Sequence, residues 1–409
     1  MKKSRGLSRS IDYINNLTKE DICIFFLVII SFFSSNPYFT WSWSGMSYFV
    51  FICCLLVPLW KKQPPLYQYG IFDNKLKRVG IFFIGLFYFL ACFNQYEPIN
   101  MNGMLFIIAF IGLFMIDNIN WRKAYDYYFT LFAITLVPSL LVYFAVFWGG
   151  VHLPYRVLDP LVEAKDYYYY AYPFCVIASD LSAVRFEGMY DEPGVVGTIC
   201  GALLLSNKCN FKDWRSWVLL VGGIFSLSMF FYAMIAYYAL VHAGKKMKLW
   251  MLILFVVAGA TIYKLDNTIL DDFVFSRFVF EDGHFAGDNR GGNDAWFDNY
   301  IHSSKSMVGY GSGYASKVQY PGGASFRFIL VDMGWPLSII FCLGMLLYYK
   351  SVIGKRAKYK DYLLAIIIFV GIMYQRPFIF NLFYVFLMII PAHRISELSN
   401  DRVRESINI

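Results

Sequence analysis

The chain has 409 residues, 58% of them hydrophobic and 16% charged, with a mean hydropathy of +0.49 and a formal net charge of +8. That apolar content exceeds what a water-soluble domain can bury, and it falls in blocks of about 15 to 25 residues, the length that crosses a ~30 Å hydrocarbon core. The expected class is an all-α, polytopic membrane protein forming one domain over 1–409, because lipid offers no partner to an unpaired backbone amide.

In chain order the apolar segments are 21–37, 44–60, 79–95, 101–117, 126–148, 193–207, 216–229, 230–243, 249–264, 326–349, 361–374 and 377–391, twelve predicted spans. The first has no small-residue cleavage site and reads as a retained helix, not a removable signal. The 28-residue apolar stretch 216–243 as one straight helix would run ~42 Å. Lys208, Lys212 and Arg215 precede it, and Lys245, Lys246 and Lys248 follow it. An even number of crossings keeps both basic groups on one side, so the stretch is predicted to be a hairpin of short or re-entrant helices turning near Ser226 and Ser228.

With both termini cytoplasmic, the cytoplasmic segments hold 26 of the 36 Lys and Arg residues. The net positive charge then reports orientation in a lipid bilayer, with no call for nucleic acid. This arrangement leaves two long loops outside, 149–192 and 265–325. Of the eight cysteines only Cys175 falls in an outside loop, so no intramolecular disulfide framework is expected there.

Polar residues gather in these loops against the grain of the composition. The first contains Arg156, then the aromatic run Asp166-Tyr-Tyr-Tyr-Tyr-Ala-Tyr-Pro-Phe174, which suits either a membrane-interface belt or stacking on sugar rings. It ends on Arg185-Phe186-Glu187-Gly188-Met189-Tyr190-Asp191-Glu192-Pro193-Gly194. Pro193 fits the first helical position and Asp191 or Glu192 suits the helix N-terminus, so capping accounts for part of the run. It leaves Arg185 and Gly188 unexplained. A guanidinium beside a helix N-terminus offers donors to the oxygens of a diphosphate.

The second loop contains Arg277, the run Arg290-Gly-Gly-Asn-Asp-Ala-Trp296, the lone His302, to which no role is given, and Gly309-Tyr-Gly311-Ser-Gly313. The alternating glycines either let backbone approach a ligand or turn an exposed loop; no flanking strand makes them a dinucleotide motif. Arg327 and Asp332 lie near the outer end of the tenth span, where ionisable groups face a cavity or pair with each other. Arg376, before Pro377, lies in the last outside turn, lining that cavity or snorkelling.

At these residues the chain resembles the bacterial Wzy-type O-antigen polymerases and their relatives, the O-antigen ligases. The shared features are about twelve spans, a late large outside loop, Arg-x-x-Gly-x-x-x-Glu-Pro-Gly opening a helix, and Arg-x5-Trp followed by Gly-x-Gly-x-Gly. The resemblance implies a GT-C-like membrane glycosyltransferase of the cytoplasmic (inner) membrane, working at the periplasmic face on undecaprenyl-diphosphate-linked oligosaccharide. A hydroxyl of one lipid-linked repeat unit would attack the anomeric carbon of the growing chain and expel undecaprenyl diphosphate. Charge develops on that leaving group, so guanidinium groups are the natural electrostatic catalysts. By position Arg185 and Arg290 match the family's arginines, with Arg277 as substitute; Glu192 is a candidate proton acceptor, and Gly188, Tyr190, Arg327, Arg376 and Arg156 are candidate substrate-binding residues. No cofactor and no metal are implied, and a chain-length regulator is an additional partner the family allows.

Ligases of this family carry a His-Asn pair about eleven residues before a helical glycine. Here that glycine corresponds to Gly334, and the segment reads Gly322-Gly-Ala-Ser-Phe-Arg-Phe, without histidine. This tilts the reading from ligase to polymerase. A lipid-linked oligosaccharide flippase, the transporter alternative, would place charges and broken helices near the midplane, often with internal repeats, and no repeat is evident.

Overall fold

The computed structural model describes residues 18–33, 74–96, 101–159, 168–179, 184–265, 279–281, 284–285, 294–317, 325–354 and 357–407. The protein is mostly helical. The principal helices are α1 (Lys19–Phe33), α2 (Lys75–Phe93), α3 (Met101–Met115), α4 (Asn118–Tyr143, continued by a π-helical turn to Trp148), α5 (Pro193–Ser206), α6 (Trp214–Phe225), α7 (Met229–Val241) and α8 (Lys245–Leu265). Short helices α9 (Asp294–Ile301), α10 (Lys305–Val308) and α11 (Tyr314–Lys317) precede α12 (Arg327–Ile353), α13 (Tyr359–Gln375) and α14 (Leu382–Ile407). Each predicted span coincides at least in part with one of these, except 44–60, which lies outside the described residues.

Among the described residues, four helical stretches are long and apolar enough to cross a membrane: Lys75–Phe93, Asn118–Trp148, Arg327–Ile353 and Leu382–Asn400. Pro193–Ser206, Trp214–Phe225 and Met229–Val241 are shorter apolar helices, ~18 to 21 Å long at 1.5 Å per residue. The stretch 216–243 is the expected hairpin, turning through Ser226, Leu227 and Ser228, with Leu227 at φ 47°. Because α5, α6 and α7 are similarly short, the turn meets the beginning of α5, where a side chain at Gly197 would collide with Ser228.

Local chemistry starts these helices. Asn74 accepts the Leu76 and Lys77 amides at the head of α2, Asp117 accepts the Asn120 amide at α4, and Asp213 accepts the Arg215 amide at α6; each satisfies N–H groups that have no partner inside the helix. The most extensive helix pair is α2 with α12. A Cβ on Gly80 would lie 2.8 Å from the Tyr348 amide nitrogen, and one on Gly344 would lie 3.0 Å from the Ile84 amide nitrogen. The two backbones therefore touch, as small residues permit where packing and not hydrophobicity joins helices.

The helical architecture carries a small amount of strand, in the two long loops. Strands β1 (Arg156–Leu158), β2 (Tyr169–Tyr172) and β3 (Cys175–Ala178) form an antiparallel sheet in that order, and a two-strand pair, β4 (Phe280–Glu281) and β5 (His284–Phe285), lies in the second. The β2–β3 hairpin turns through Pro173 and Phe174, with Phe174 at φ 60°, a turn that Pro favours at its first inner position. Within the aromatic run Tyr169, Ala171 and Tyr172 are buried in β2, while Tyr168 just ahead of it is exposed.

The charged groups sort to opposite ends of the bundle. At one end Lys208 pairs with Asp361 at 2.8 Å, Arg215 reaches Asp126 and Asp213 at 2.7 Å each, and Arg394 reaches Glu397 at 2.7 Å and Asn207 at 2.9 Å. At the other lie the Arg185 run, the 226–228 turn, Arg376, and the 309–313 loop bound to residues 94–96.

Candidate functional site

Glu192 and Arg376 are 184 positions apart and meet at this loop end. Each precedes a proline, which disfavours the helical region and pushes the preceding residue toward extended backbone; their φ values are −151° and −147°. Each side chain is thus placed at a helix boundary. Glu192 is the N-cap residue of α5, yet its carboxylate makes no capping hydrogen bond. It accepts from Arg376 Nη2 in an ion pair. Capping by Glu192 is corrected to charge pairing.

The Arg376 side chain is 6% exposed and that of Glu192 38%, so the cation lies beneath and the carboxylate covers it. Burial works against the guanidinium charge, but Glu192 and Tyr384 hold its pKa above the ordinary arginine value. A Cβ at Gly194 would lie 3.1 Å from Arg376 Nη2, which brings the guanidinium against the first turn of α5. Arg376 is buried and does not snorkel.

Arg185 reaches the same turn from another direction. Its Nε donates to the Ser226 carbonyl at 3.3 Å, and the Phe186 amide donates to the Phe225 carbonyl at 2.8 Å. A Cβ at Gly197 would lie 2.9 Å from Ser226 Oγ. Arg185 therefore grips the hairpin turn that rests on α5, and two guanidinium groups flank the start of that helix.

The middle of the run is packed inward. Gly188, at φ 61°, accepts from the Val176 amide at 2.6 Å and is surrounded by Phe186, Val196 and Leu136. Tyr190 is 2% exposed, between Phe132 and Phe383. These two predicted substrate-binding residues join the core below the site. Cys175 is buried, and burial with Glu187 nearby raises its thiol pKa. Arg156 is exposed at the head of the sheet, and His302 is exposed after α9. Arg277 and Arg290 lie outside the described residues.

The glycine motif receives an answer that neither sequence reading offered. Gly334 has φ 74° and ψ 172° and breaks α12 ahead of Pro336, so the carbonyls of Val331 and Asp332 turn outward. The Tyr310 amide donates to Val331 at 2.8 Å and the Gly311 amide to Asp332 at 2.9 Å. A side chain at Gly309 would run into the Asp332 carbonyl; glycine lets the loop backbone lie on the broken helix. Each Asp332 carboxylate oxygen takes a loop amide, Gly313 at 2.9 Å and Ala315 at 2.8 Å. Arg327 lies 4.5 Å over the Phe297 ring. The two halves of the second motif also meet, since Trp296 stacks on Tyr300 and both contact Tyr310.

Beside this clasp a pocket of about 250 Å³ opens between Ser312, Phe328 and Asp332 on one side and Pro377, Phe378 and Phe380 on the other. Its second wall follows directly after Arg376. Sequence reading missed the wall; the signal was present in Pro377-Phe378 beside a charge at a helix end. Among the described residues no group of three or more His, Cys, Asp or Glu side chains could hold a metal ion. No family model, curated protein or solved structure matches the chain.

Proposed function

We propose that this protein is a membrane glycosyltransferase of the Wzy O-antigen polymerase type, joining undecaprenyl-diphosphate-linked repeat units at the periplasmic face of the inner membrane. The observation that carries the reading is the pair of guanidinium groups, Arg185 and Arg376, flanking the first turn of α5. Helix N-terminal amides and fixed guanidinium groups are both donors to diphosphate oxygens. Their placement suits a leaving group whose charge grows as the glycosidic bond to phosphate breaks.

In this reaction the acceptor hydroxyl oxygen bonds to the anomeric carbon, the bond from that carbon to the diphosphate oxygen breaks, the electron pair leaves with undecaprenyl diphosphate, and the hydroxyl proton passes to an oxygen of that departing diphosphate. Arg376 and Arg185 act on the leaving group. Glu192 positions Arg376 beneath the helix start through its carboxylate. Arg290 and Arg277 keep the roles that the family resemblance gives them. The broken α12 is the feature a transporter would share, but the break falls in the first third of the helix, toward the loop end, whereas transporter sites lie near the midplane.

The test is polymer length in cells carrying Arg376→Lys or Arg185→Lys. Lysine retains the charge and loses the planar fork, so polymerisation should fall by roughly 10² to 10³, the cost of removing one fixed transition-state donor. The surface glycan should then carry one repeat unit while the protein stays inserted. Long chains stranded on the lipid carrier would identify a ligase, and unchanged surface chain lengths would overturn the assignment.

A further inference from the structure

We infer that the pocket between the broken start of α12 and the 377–381 turn is the binding site for one neutral sugar ring of the lipid-linked saccharide; this rests on the polymerase reading above. Phe328, Phe378 and Phe380 are half-buried and line the pocket, and the polar groups beside them include Asp332 and Ser312. Phenyl side chains at the wall with hydrogen-bond acceptors at one side match a pyranose, which has an apolar C–H face and a rim of hydroxyl donors. A carboxylate there disfavours an anionic ligand, which separates this pocket from the guanidinium groups at α5.

Its size sets the ligand. About 250 Å³ is just below the ~300 Å³ at which pockets for larger ligands begin, room for a single monosaccharide and not a whole repeat unit. Asp332 is held in place by the Gly313 and Ala315 amides. Each carboxylate oxygen keeps acceptor capacity beyond that one amide, so Asp332 can orient a sugar hydroxyl without leaving the clasp. Gly313 also lines the pocket, and a Cβ there would meet nothing within 4 Å, so the wall beside Asp332 is open.

The full chain in lipid nanodiscs should be tested by ligand-observed NMR against methyl glycosides of neutral hexoses and N-acetylhexosamines, with inorganic pyrophosphate as the probe of the guanidinium site. At least one glycoside should bind the wild type. Binding should weaken roughly tenfold in Phe378→Ala, which removes a ring face, and in Ser312→Leu, which fills the pocket, with pyrophosphate binding unchanged in both. Retained pyrophosphate binding also reports that each variant is folded. Glycoside binding indifferent to both substitutions overturns the inference, as does no glycoside binding while pyrophosphate still binds. Pocket-dependent glycoside binding without pyrophosphate binding would leave the sugar site standing and remove the diphosphate site from the polymerase reading; binding of neither would sink both.

Discussion

The two ends of the helix bundle treat charge differently. At the basic end cations and carboxylates sit in matched sets, Lys208 with Asp361 and Arg215 with Asp126 and Asp213, and Arg394 pairs with Glu397. At the loop end the backbone is the recurring partner: Arg185 Nε is held by the Ser226 carbonyl and Asp332 by two amides. Glu192 with Arg376 is an ion pair there, and its carboxylate is more than a third exposed. Mutual neutralisation fastens helices together, whereas at the loop end a carboxylate is clamped by loop amides and a partly exposed carboxylate covers a buried guanidinium. The first end joins helices to one another, and the second joins loops to helix ends.

The strongest way to break this comparison is Asp361→Asn. Lys208 and Asp361 side chains are 8% and 9% exposed, so the substitution strands a buried cation and should cost about 3–5 kcal/mol, read as a lower unfolding midpoint in detergent. Replacing both with apolar residues of similar volume should recover most of that loss, and polymer length should follow the amount of folded protein. A specific activity loss in the repaired double variant would mean that the cohesive end also takes part in function.

Next in size is Gly309→Ala. A side chain there meets the Asp332 carbonyl at a φ of 78°, so about 2–4 kcal/mol is expected from overpacking and the left-handed backbone together. Protease should cut faster within 305–317 before the rest of the chain unfolds. Wild-type protection would show that the loop does not depend on its clasp.

A smaller effect is expected of Glu192→Gln. Loss of the counter-charge over buried Arg376 should cost about 1–3 kcal/mol, less than for a fully buried pair because Glu192 is partly exposed. Glu192→Asp retains the charge and should restore most of the polymer length. If Asp fails as badly as Gln while both proteins are abundant, Glu192 acts on the substrate directly and not through Arg376. The smallest effect belongs to Arg156→Ala: its side chain is exposed on the outer strand of the sheet, so stability should change within about 0.5 kcal/mol and chain lengths should stay normal.

Some of this organisation was legible in one dimension. Hydrophobic blocks depend on neighbouring residues alone, so the helices came out in order, and the basic flanks of 216–243 were enough to require its hairpin. The β2–β3 hairpin was missed although Pro173 at the turn and the aromatic and β-branched residues around it carried the signal, because aromatic residues near a membrane are read first as an interface belt. The motif 185–194 was recognised as a unit, but its residues separate in space: Arg185 and Glu192 face the site while Gly188 and Tyr190 pack below it.

What the amino-acid order determined by itself was the membrane class and the approximate places of the apolar segments, since each follows from the free energy of placing nearby side chains in lipid or water. The tertiary structure alone decided that Glu192 meets Arg376, that Gly309 closes over the break at Gly334, and that Phe328 and Phe378 wall one pocket. Those contacts join segments tens to nearly two hundred residues apart. They depend on how helices of unequal length pack side by side, a long-range arrangement that no local pattern of residues encodes.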